Sequence, residues 1–170
     1  MMSVRYIASR DAERVAEINV EGWQTAYRGI FPDEFLDSLD VKSRIESVKA
    51  TISEYPNDGF VYEDEKQNIL GFCQFGELRW VEEFGEECDC EMYAIYVLSE
   101  SRGQGVGKAL MEAAFAKFRA QNKKSMLVNV LKENTASVDF YRSLGGVEIG
   151  DKPFVLNDIS YPQITFGFKL

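Results

Sequence analysis

The sequence has no histidine among its 170 residues. Without an imidazole, a Ser/His/Asp or Cys/His nucleophile pair cannot be built, and a His-ligated metal site is excluded as well. Any proton transfer near neutral pH is then left to a carboxylate, a tyrosine, a lysine, a thiol or water. The absence of this one residue type removes whole classes of hydrolase and metalloenzyme.

Cysteine is scarce, and the three that occur, Cys73, Cys88 and Cys90, are not preceded by a signal peptide. An odd number of cysteines is most simply interpreted as reduced thiols in a cytoplasmic protein. Cys88 and Cys90 are too close in sequence for a common disulfide, and an isolated Cys-x-Cys pair is weak evidence for zinc. We therefore expect a cytoplasmic location and no metal.

Basic residues are outnumbered by acidic ones, 19 against 28, so that the net charge is −9. This charge repels a phosphate backbone, and we expect no nucleic-acid partner, although a local basic patch would escape that argument. No apolar run approaches the roughly 18 residues of a membrane span. With 170 residues, 45% of them apolar, the chain is long enough for a real core, and we expect one domain over residues 1–170.

The pattern of apolar residues predicts the element order β-α-α-β-β-β-α-β-α-β-β. The run 92–98 is almost wholly apolar, which is typical of a strand covered on both faces. With the helix and strand that follow, it predicts a parallel pair inside a largely antiparallel sheet. The fold class is thus α/β, with a mixed sheet and helices on both faces. The predicted strands are 4–7, 60–62, 69–75, 92–98, 125–131, 147–154 and 164–169. Of the four predicted helices, one follows a cap at Ser9, one follows a cap at Asp40, and the other two cover 109–120 and 135–144.

The segment SRGQGVGKAL, residues 101–110, lies between a predicted strand and a predicted helix. The first amides of a helix are free, and its dipole favours an anion. Glycines let such amides converge on phosphate oxygens without a side chain in the way. Residues 102–124 contain six basic side chains and one acidic side chain, a local charge of +5. These features predict a phosphate-bearing cofactor.

Two common phosphate motifs fail on individual residues. A P-loop requires Ser or Thr after Gly107-Lys108, where Ala109 stands. A dinucleotide fingerprint that starts at Gly103 requires glycine at the position of Lys108. The remaining alternative is a glycine-rich turn that merely starts a helix.

The residues RGQGVG, 102–107, resemble the Arg/Gln-x-x-Gly-x-Gly/Ala acetyl-CoA signature of the GCN5-related N-acetyltransferase (GNAT) superfamily. EMYAIYV before them and NTASVDFY after them are similar to the family's fourth strand and its cofactor-side helix. Together with the element order, the resemblance covers essentially the whole chain. The triplet Gly145-Gly146-Val147 departs from the family's frequent Gly-Phe. The resemblance implies the family's acyl-CoA N-acyltransferase fold, with acetyl-CoA as cosubstrate.

The resemblance also implies which residues bind the cofactor. Backbone groups of 95–97 would pair with the pantetheine arm as an added strand does, and amides of 102–108 would bind the pyrophosphate. The side chains of Ile95 and Val97 are at the same time expected in the core. The full implied set is Ile95, Tyr96, Val97, Arg102, Gly103, Gln104, Gly105, Val106, Gly107, Lys108, Asn134 and Tyr141.

Asn134 and Tyr141 each have a structural and a functional interpretation. Asn134 directly precedes a predicted helix and is explained by capping, while the resemblance adds a cofactor contact. Tyr141 lies two helical turns further, on the same face. Its phenol suits a general acid that protonates the departing thiolate, and the alternative is an aromatic core residue beside Phe140.

Glu91 matches a family position where a carboxylate often acts as the base through water. An amine with a pKa near that of lysine, about 10.4, must lose a proton before it attacks. The alternative is that Glu91 belongs to a solvated acidic stretch, because residues 77–91 contain seven acids and one base. A positively charged acceptor would be attracted to this stretch in either case.

Trp23, Tyr27 and Phe31 lie where the family usually forms the acceptor wall, and the alternative is satellite core. We expect an N-acetyltransferase that works by direct attack in a ternary complex, since no histidine or well-placed cysteine can serve as a covalent relay. A non-catalytic acyl-CoA-binding sensor or interaction module of the same fold is the alternative. The acceptor can be a small-molecule or a protein amine, and unpaired edge strands allow a homodimer.

Overall fold

The computed structural model describes residues 3–170. Contacts divide the chain into two compact units, the first reaching Phe75 and including Ala94–Ala114, the second comprising Gly76–Tyr93 and Phe115–Leu170. Strand β4 (Cys90–Val97) and helix α5 (Val106–Ala120) each contribute residues to both units.

The first unit contains three antiparallel strands, β1 (Ser3–Tyr6), β2 (Gly59–Glu63) and β3 (Ile69–Glu77), with three helices between β1 and β2. The strand order is β1-β2-β3, with Val4 opposite Tyr62 and Val61 opposite Phe72. Asp40 caps α3 as predicted, because its Oδ2 accepts a hydrogen bond from the Ser43 N–H at 2.7 Å. The elements are β1 (Ser3–Tyr6), a 3-10 turn (Ser9–Asp11), α1 (Ala12–Ala26), the short α2 (Asp33–Asp37), α3 (Val41–Glu54), β2 (Gly59–Glu63) and β3 (Ile69–Glu77).

The core of the first unit is formed where the apolar stripes of α1 and α3 meet the sheet. Spacings of three and four residues place these side chains on one face of each helix. The predicted cap Ser9 is wrong, because residues 9–11 form the 3-10 turn and α1 begins at Ala12. Buried members of this core are Ile7, Ala12, Val15, Ala16, Ile18, Val48, Ile52, Val61, Ile69, Phe72 and Leu98.

The second unit has the strand order β4-β5-β9-β6. Its β4–β5 pair is parallel, as the predicted crossover requires. Strand β9 runs antiparallel to both β5 and β6. The elements are α4 (Val81–Phe84), the first half of β4, the end of α5, β5 (Ser125–Leu131), α6 (Thr135–Ser143), β6 (Val147–Gly150), β7 (Phe154–Leu156), β8 (Ile159–Tyr161) and β9 (Gln163–Lys169).

The predicted elements occur in the predicted order, but two short helices, α2 and α4, were not predicted, and three further details differ. The predicted strand 147–154 ends at Gly150, and a separate antiparallel hairpin, β7–β8, begins at Phe154. Helix α5 begins at Val106 rather than at 109, so that part of the glycine motif lies inside its first turn. The expectation that 92–98 is covered on both faces is wrong for residues 93–97, since Tyr93 is 37% exposed and Ala94–Val97 are only partly buried. The parallel ladder with β5 covers only Cys90–Met92.

Candidate active site

The glycine-rich turn connects β4 to α5 through a short 3-10 turn, Ser99–Ser101. Gly103 and Gly105 have φ values of +73° and +84°, in the left-handed region that L side chains rarely adopt. A Cβ at either position would meet no atom within 4 Å, so glycine is required here by the backbone and not by lack of space. Residues 102–105 are exposed directly before the first turn of α5. This geometry offers free amides and a helix dipole to an anion.

Side-chain hydrogen bonds attach this turn to α1. Arg102 donates from Nη2 to Thr25 Oγ1 at 3.0 Å and from Nε to the Val97 carbonyl at 3.3 Å. The Ser99 N–H donates to Glu21 Oε1 at 3.2 Å. Lys108 is exposed and is 3.8 Å from Glu112, a weak surface pair that leaves its ammonium available. The predicted charges of the turn are therefore accessible, and Arg102 is held in place.

The segment predicted to bind the pantetheine arm, residues 95–97, lies after the part of β4 that pairs with β5 in a parallel ladder. Ile95, Tyr96 and Val97 come after Met92, the last residue of that ladder, and their side chains are partly exposed. Gly22 of α1 approaches Tyr96 so closely that a Cβ there would lie 3.0 Å from the ring Cγ. Helix α1 therefore packs directly against the later half of β4.

Trp23, Tyr27 and Phe31 form one aromatic cluster with Phe35. Their ring centroids are 5.1 Å apart for Trp23–Tyr27, 5.0 Å for Tyr27–Phe31 and 5.8 Å for Trp23–Phe31. Phe31 is only 3% exposed and is therefore core, while Trp23 and Tyr27 are partly exposed. Phe35, which lies in the short α2, was missed by the sequence analysis.

Tyr27 also connects this cluster to β4, because its hydroxyl is 3.2 Å from that of Tyr96. Burial raises the pKa of Tyr27, and the hydrogen bond with Tyr96 opposes this only in part. The phenol of Tyr27 therefore stays neutral at physiological pH and can act as a hydrogen-bonding group.

Glu91 is 1% exposed, so the interpretation as part of a solvated face is wrong for this residue. Its carboxylate is bound by Arg79, which donates from Nη2 to Oε1 at 2.6 Å and from Nε to Oε2 at 3.2 Å. Burial acts to lower the pKa of Arg79, but the hydrogen bonds and the charge attraction of Glu91 together outweigh it and the pKa is raised. The sequence analysis did not predict a role for Arg79. The available signal was that Arg79 is the single basic residue among seven acidic residues in 77–91.

Asn134 and Tyr141 lie at the beginning and near the end of α6. The cap is confirmed, since Asn134 Oδ1 accepts from the Ser137 N–H at 3.3 Å. Tyr141 is 5% exposed, with its ring centroid 6.0 Å from that of Phe166 and 6.4 Å from that of Phe168. The ring is therefore a core residue, and the role of its hydroxyl stays a prediction.

The three cysteines are buried, and their surroundings affect their reactivity. Cys73, Cys88 and Cys90 are free and buried. Burial raises their pKa values, to about 12 for Cys73, about 11 for Cys88 and about 12 for Cys90. Across residues 3–170, no three or more cysteine or acidic side chains come together as a group that could hold a metal ion. None of the helices in this part of the chain combines the length and hydropathy of a membrane span.

Comparison with known proteins identifies the family. The model of the acetyltransferase (GNAT) family matches residues 15–145. The chain belongs to the GNAT acetyltransferase family. The uncharacterized N-acetyltransferase YuaI of Bacillus subtilis is 32% identical to this GNAT chain over 169 residues, covering 99% of it and 93% of YuaI. The L-amino acid N-acyltransferase MnaT of Escherichia coli is 28% identical, over 91% of this chain and 84% of MnaT.

The solved structures show the same fold. The structure of yncA from Salmonella typhimurium, with its cofactor acetyl-CoA, has a TM-score of 0.71 and covers 99% of this GNAT chain and 94% of its own at 19% identity. The family, the fold class and the N-acetyltransferase class predicted from sequence are therefore confirmed. The individual site residues stay predictions.

Proposed function

We propose that this GNAT protein, as one domain over residues 1–170, transfers an acetyl group from acetyl-CoA to the amine of a small acceptor. The observation that carries the proposal is the turn before α5, where Gly103 and Gly105 hold left-handed backbone conformations at a helix N-terminus. The acetyl-CoA bound to yncA supports the choice of donor. Arg102 through Lys108 would bind the pyrophosphate, and the backbone of 95–97 the pantetheine arm, with Asn134 and Tyr141 completing the cofactor site.

The chemistry we propose is direct attack in a ternary complex. The acceptor nitrogen bonds to the acetyl carbonyl carbon while the C–S bond breaks, and amides of β4 polarise the carbonyl. Glu91 takes the proton from the amine, directly or through a water, and Tyr141 gives a proton to the departing CoA thiolate. The buried thiols, with their raised pKa values, support a mechanism without an acetyl-cysteine.

The proposed acceptor is a small-molecule amine that contacts the exposed parts of Trp23 and Tyr27. MnaT, a relative over most of the chain, is an L-amino acid N-acyltransferase, which favours a small amine over a protein amine. The net charge of −6 over residues 77–91 would attract the ammonium form of the acceptor. We further propose a cytoplasmic protein without metal, nucleic-acid or membrane partner, for which the three free thiols and the acidic composition are the support. A homodimer formed by edge strands is part of the same proposal.

A panel of amines tests this function. The purified protein is mixed with acetyl-CoA and each amine, and free CoA thiol is measured. Release of CoA that depends on the acceptor supports the enzyme, and initial-rate lines that intersect in double-reciprocal plots support a ternary complex. Tight acetyl-CoA binding with no turnover on any amine would instead identify a binding module of the same fold.

A matched pair of glycine variants tests the cofactor turn. Gly105→Ala and Gly145→Ala each place a methyl group at a left-handed position, with φ of +84° and +87° and no atom within 4 Å. Both should lose similar stability, about 1 kcal/mol. Only Gly105→Ala should raise the Kd for acetyl-CoA, by about tenfold, because it turns amides away from a charged group. Equal affinities in the two variants would contradict the assignment of the turn.

A further inference from the structure

Arg79 contacts Glu91 with three donors. In addition to the two side-chain hydrogen bonds, the Arg79 backbone N–H donates to Oε2 of Glu91 at 3.1 Å. Hydrogen bonds on both oxygens fix the position of the carboxylate and its rotation about the last side-chain bond. One residue therefore determines how the buried carboxylate is oriented.

Arg79 is itself held by Tyr93. The guanidinium carbon is 4.2 Å from the centroid of the Tyr93 ring, and the Tyr93 hydroxyl donates to the Glu77 carbonyl at 2.6 Å. A Cβ at Gly76 would lie 2.6 Å from that hydroxyl oxygen, so glycine leaves the room that the tyrosine needs. The orientation of Glu91 thus depends on a chain of contacts from the end of β3 through Tyr93 to Arg79.

No other described side chain offers a charge to Glu91. In β5, the partners of Cys90, Glu91 and Met92 are Met126, Leu127 and Val128, which are apolar. The carboxylate of Glu77 is 84% exposed and pairs with Lys123 instead. A buried carboxylate that loses its single partner is left uncompensated. Arg79 therefore supplies the counter-charge of the Glu91 carboxylate.

We propose that Arg79 is a positioning residue for acetyl transfer, which holds the Glu91 carboxylate in the orientation that accepts a proton from the acceptor amine. The proposal rests on the proposed role of Glu91 as the base. Oε2 accepts two hydrogen bonds, whereas Oε1 accepts one, from Nη2 of Arg79. Because a carboxylate oxygen has two lone pairs, Oε1 retains one for the proton. Arg79 needs no contact with either substrate for this role.

Four variants test the proposal: Arg79→Met, Arg79→Lys, Glu91→Gln and the double variant Arg79→Met/Glu91→Gln. We measure kcat, the KM for the acceptor, the Kd for acetyl-CoA and thermal unfolding. Glu91→Gln should lower kcat by about 100-fold or more, as expected for a base. Arg79→Met should lower kcat by about tenfold or more with an unchanged Kd for acetyl-CoA, as is typical when an orienting partner is lost. Arg79→Lys keeps the positive charge but loses the bidentate contact, and its kcat should lie between those of Arg79→Met and the wild type.

The double variant distinguishes positioning from an independent role. If Arg79 acts through Glu91, Arg79→Met changes kcat little once Glu91→Gln is present. If the two effects multiply instead, the positioning role is refuted. If Glu91→Gln retains kcat, the base assignment fails, whatever Arg79 does. The double variant and Arg79→Lys leave no unpaired buried charge. If Arg79→Met fails to fold, the proposal is tested with these two variants. Arg14→Met, which breaks an exposed pair with Glu17 at 2.7 Å, is the control and should leave kcat unchanged.

Discussion

Gly22 lies in the interior of α1, where alanine would ordinarily be the better residue. Replacing glycine by alanine in a helix interior stabilises it by about 1 kcal/mol. A Cβ at this position, however, would lie 3.0 Å from Cγ and 3.1 Å from Cε1 of Tyr96, and closer still to Cδ1. Extra atoms in a packed interior cost about 1–3 kcal/mol. The net expectation for Gly22→Ala is a loss of about 1 kcal/mol, because the steric cost exceeds the helix preference.

The Tyr96→Ala background reverses the sign of this effect. With the ring removed, nothing opposes the helix preference, and Gly22→Ala should now stabilise the protein by about 1 kcal/mol. The wild type, both single variants and the double variant are unfolded in urea and followed by circular dichroism. The coupling between the two positions should be about 1–3 kcal/mol, and the single variant Gly22→Ala should lower Tm by about 2–4 °C.

An equal effect of Gly22→Ala in both backgrounds, within about 0.5 kcal/mol, would refute the reasoning, since it would mean that the methyl group does not meet Tyr96. The result also bears on function, because Tyr96 belongs to the part of β4 proposed to bind the pantetheine arm. We expect Gly22→Ala to weaken acetyl-CoA binding in the wild-type background, through displacement of Tyr96.

Two further predictions concern Tyr141 and Asp11. Tyr141→Phe keeps the packing against Phe166 but removes the hydroxyl, so kcat should fall by about 100-fold or more with an unchanged Kd for acetyl-CoA; unchanged kcat would remove the acid role. Burial acts to raise the pKa of Asp11, but hydrogen bonds from Arg5 at 2.7 and 2.9 Å, the Ala8 N–H and the charge of Arg5 together outweigh it and hold the pKa below its ordinary value. The stability that Asp11 contributes is therefore present above the unfolded pKa of about 3.9 and is lost as the pH falls through the folded pKa. Urea unfolding should show a weaker acid dependence for Asp11→Asn than for wild type, and a slope unchanged from wild type would contradict the ion pair.

Much of the fold could be predicted because local residues carry local backbone preferences. The cap at Asp40, the cap at Asn134 and the left-handed Gly145 after α6 occur where the residue types indicate. The hairpin β7–β8 was missed although its signal was available. Asn157 and Asp158, with φ of +49° and +63°, form a two-residue turn of the kind that these residue types favour.

The candidate site could be predicted only in part. The cofactor turn depends on the glycines of a continuous segment, so the sequence alone was sufficient to locate it and to indicate the family. The same holds for the position of Tyr141, two helical turns after Asn134. Whether the hydroxyl of Tyr141 acts as an acid depends on its surroundings, and these are set by packing rather than by sequence spacing.

Three features depended on tertiary structure. Glu91 and Arg79, twelve residues apart, form an ion pair whose carboxylate is buried, where the composition suggested a solvated face. Gly22 meets Tyr96, and Phe31 is buried in a cluster that the sequence also allowed to line an acceptor site. The residue type determines which backbone conformations and hydrogen bonds are possible, and these local preferences can be predicted from the sequence. Which partner satisfies a buried charge, and which rings exclude water, depends on side chains that only the folded chain brings together.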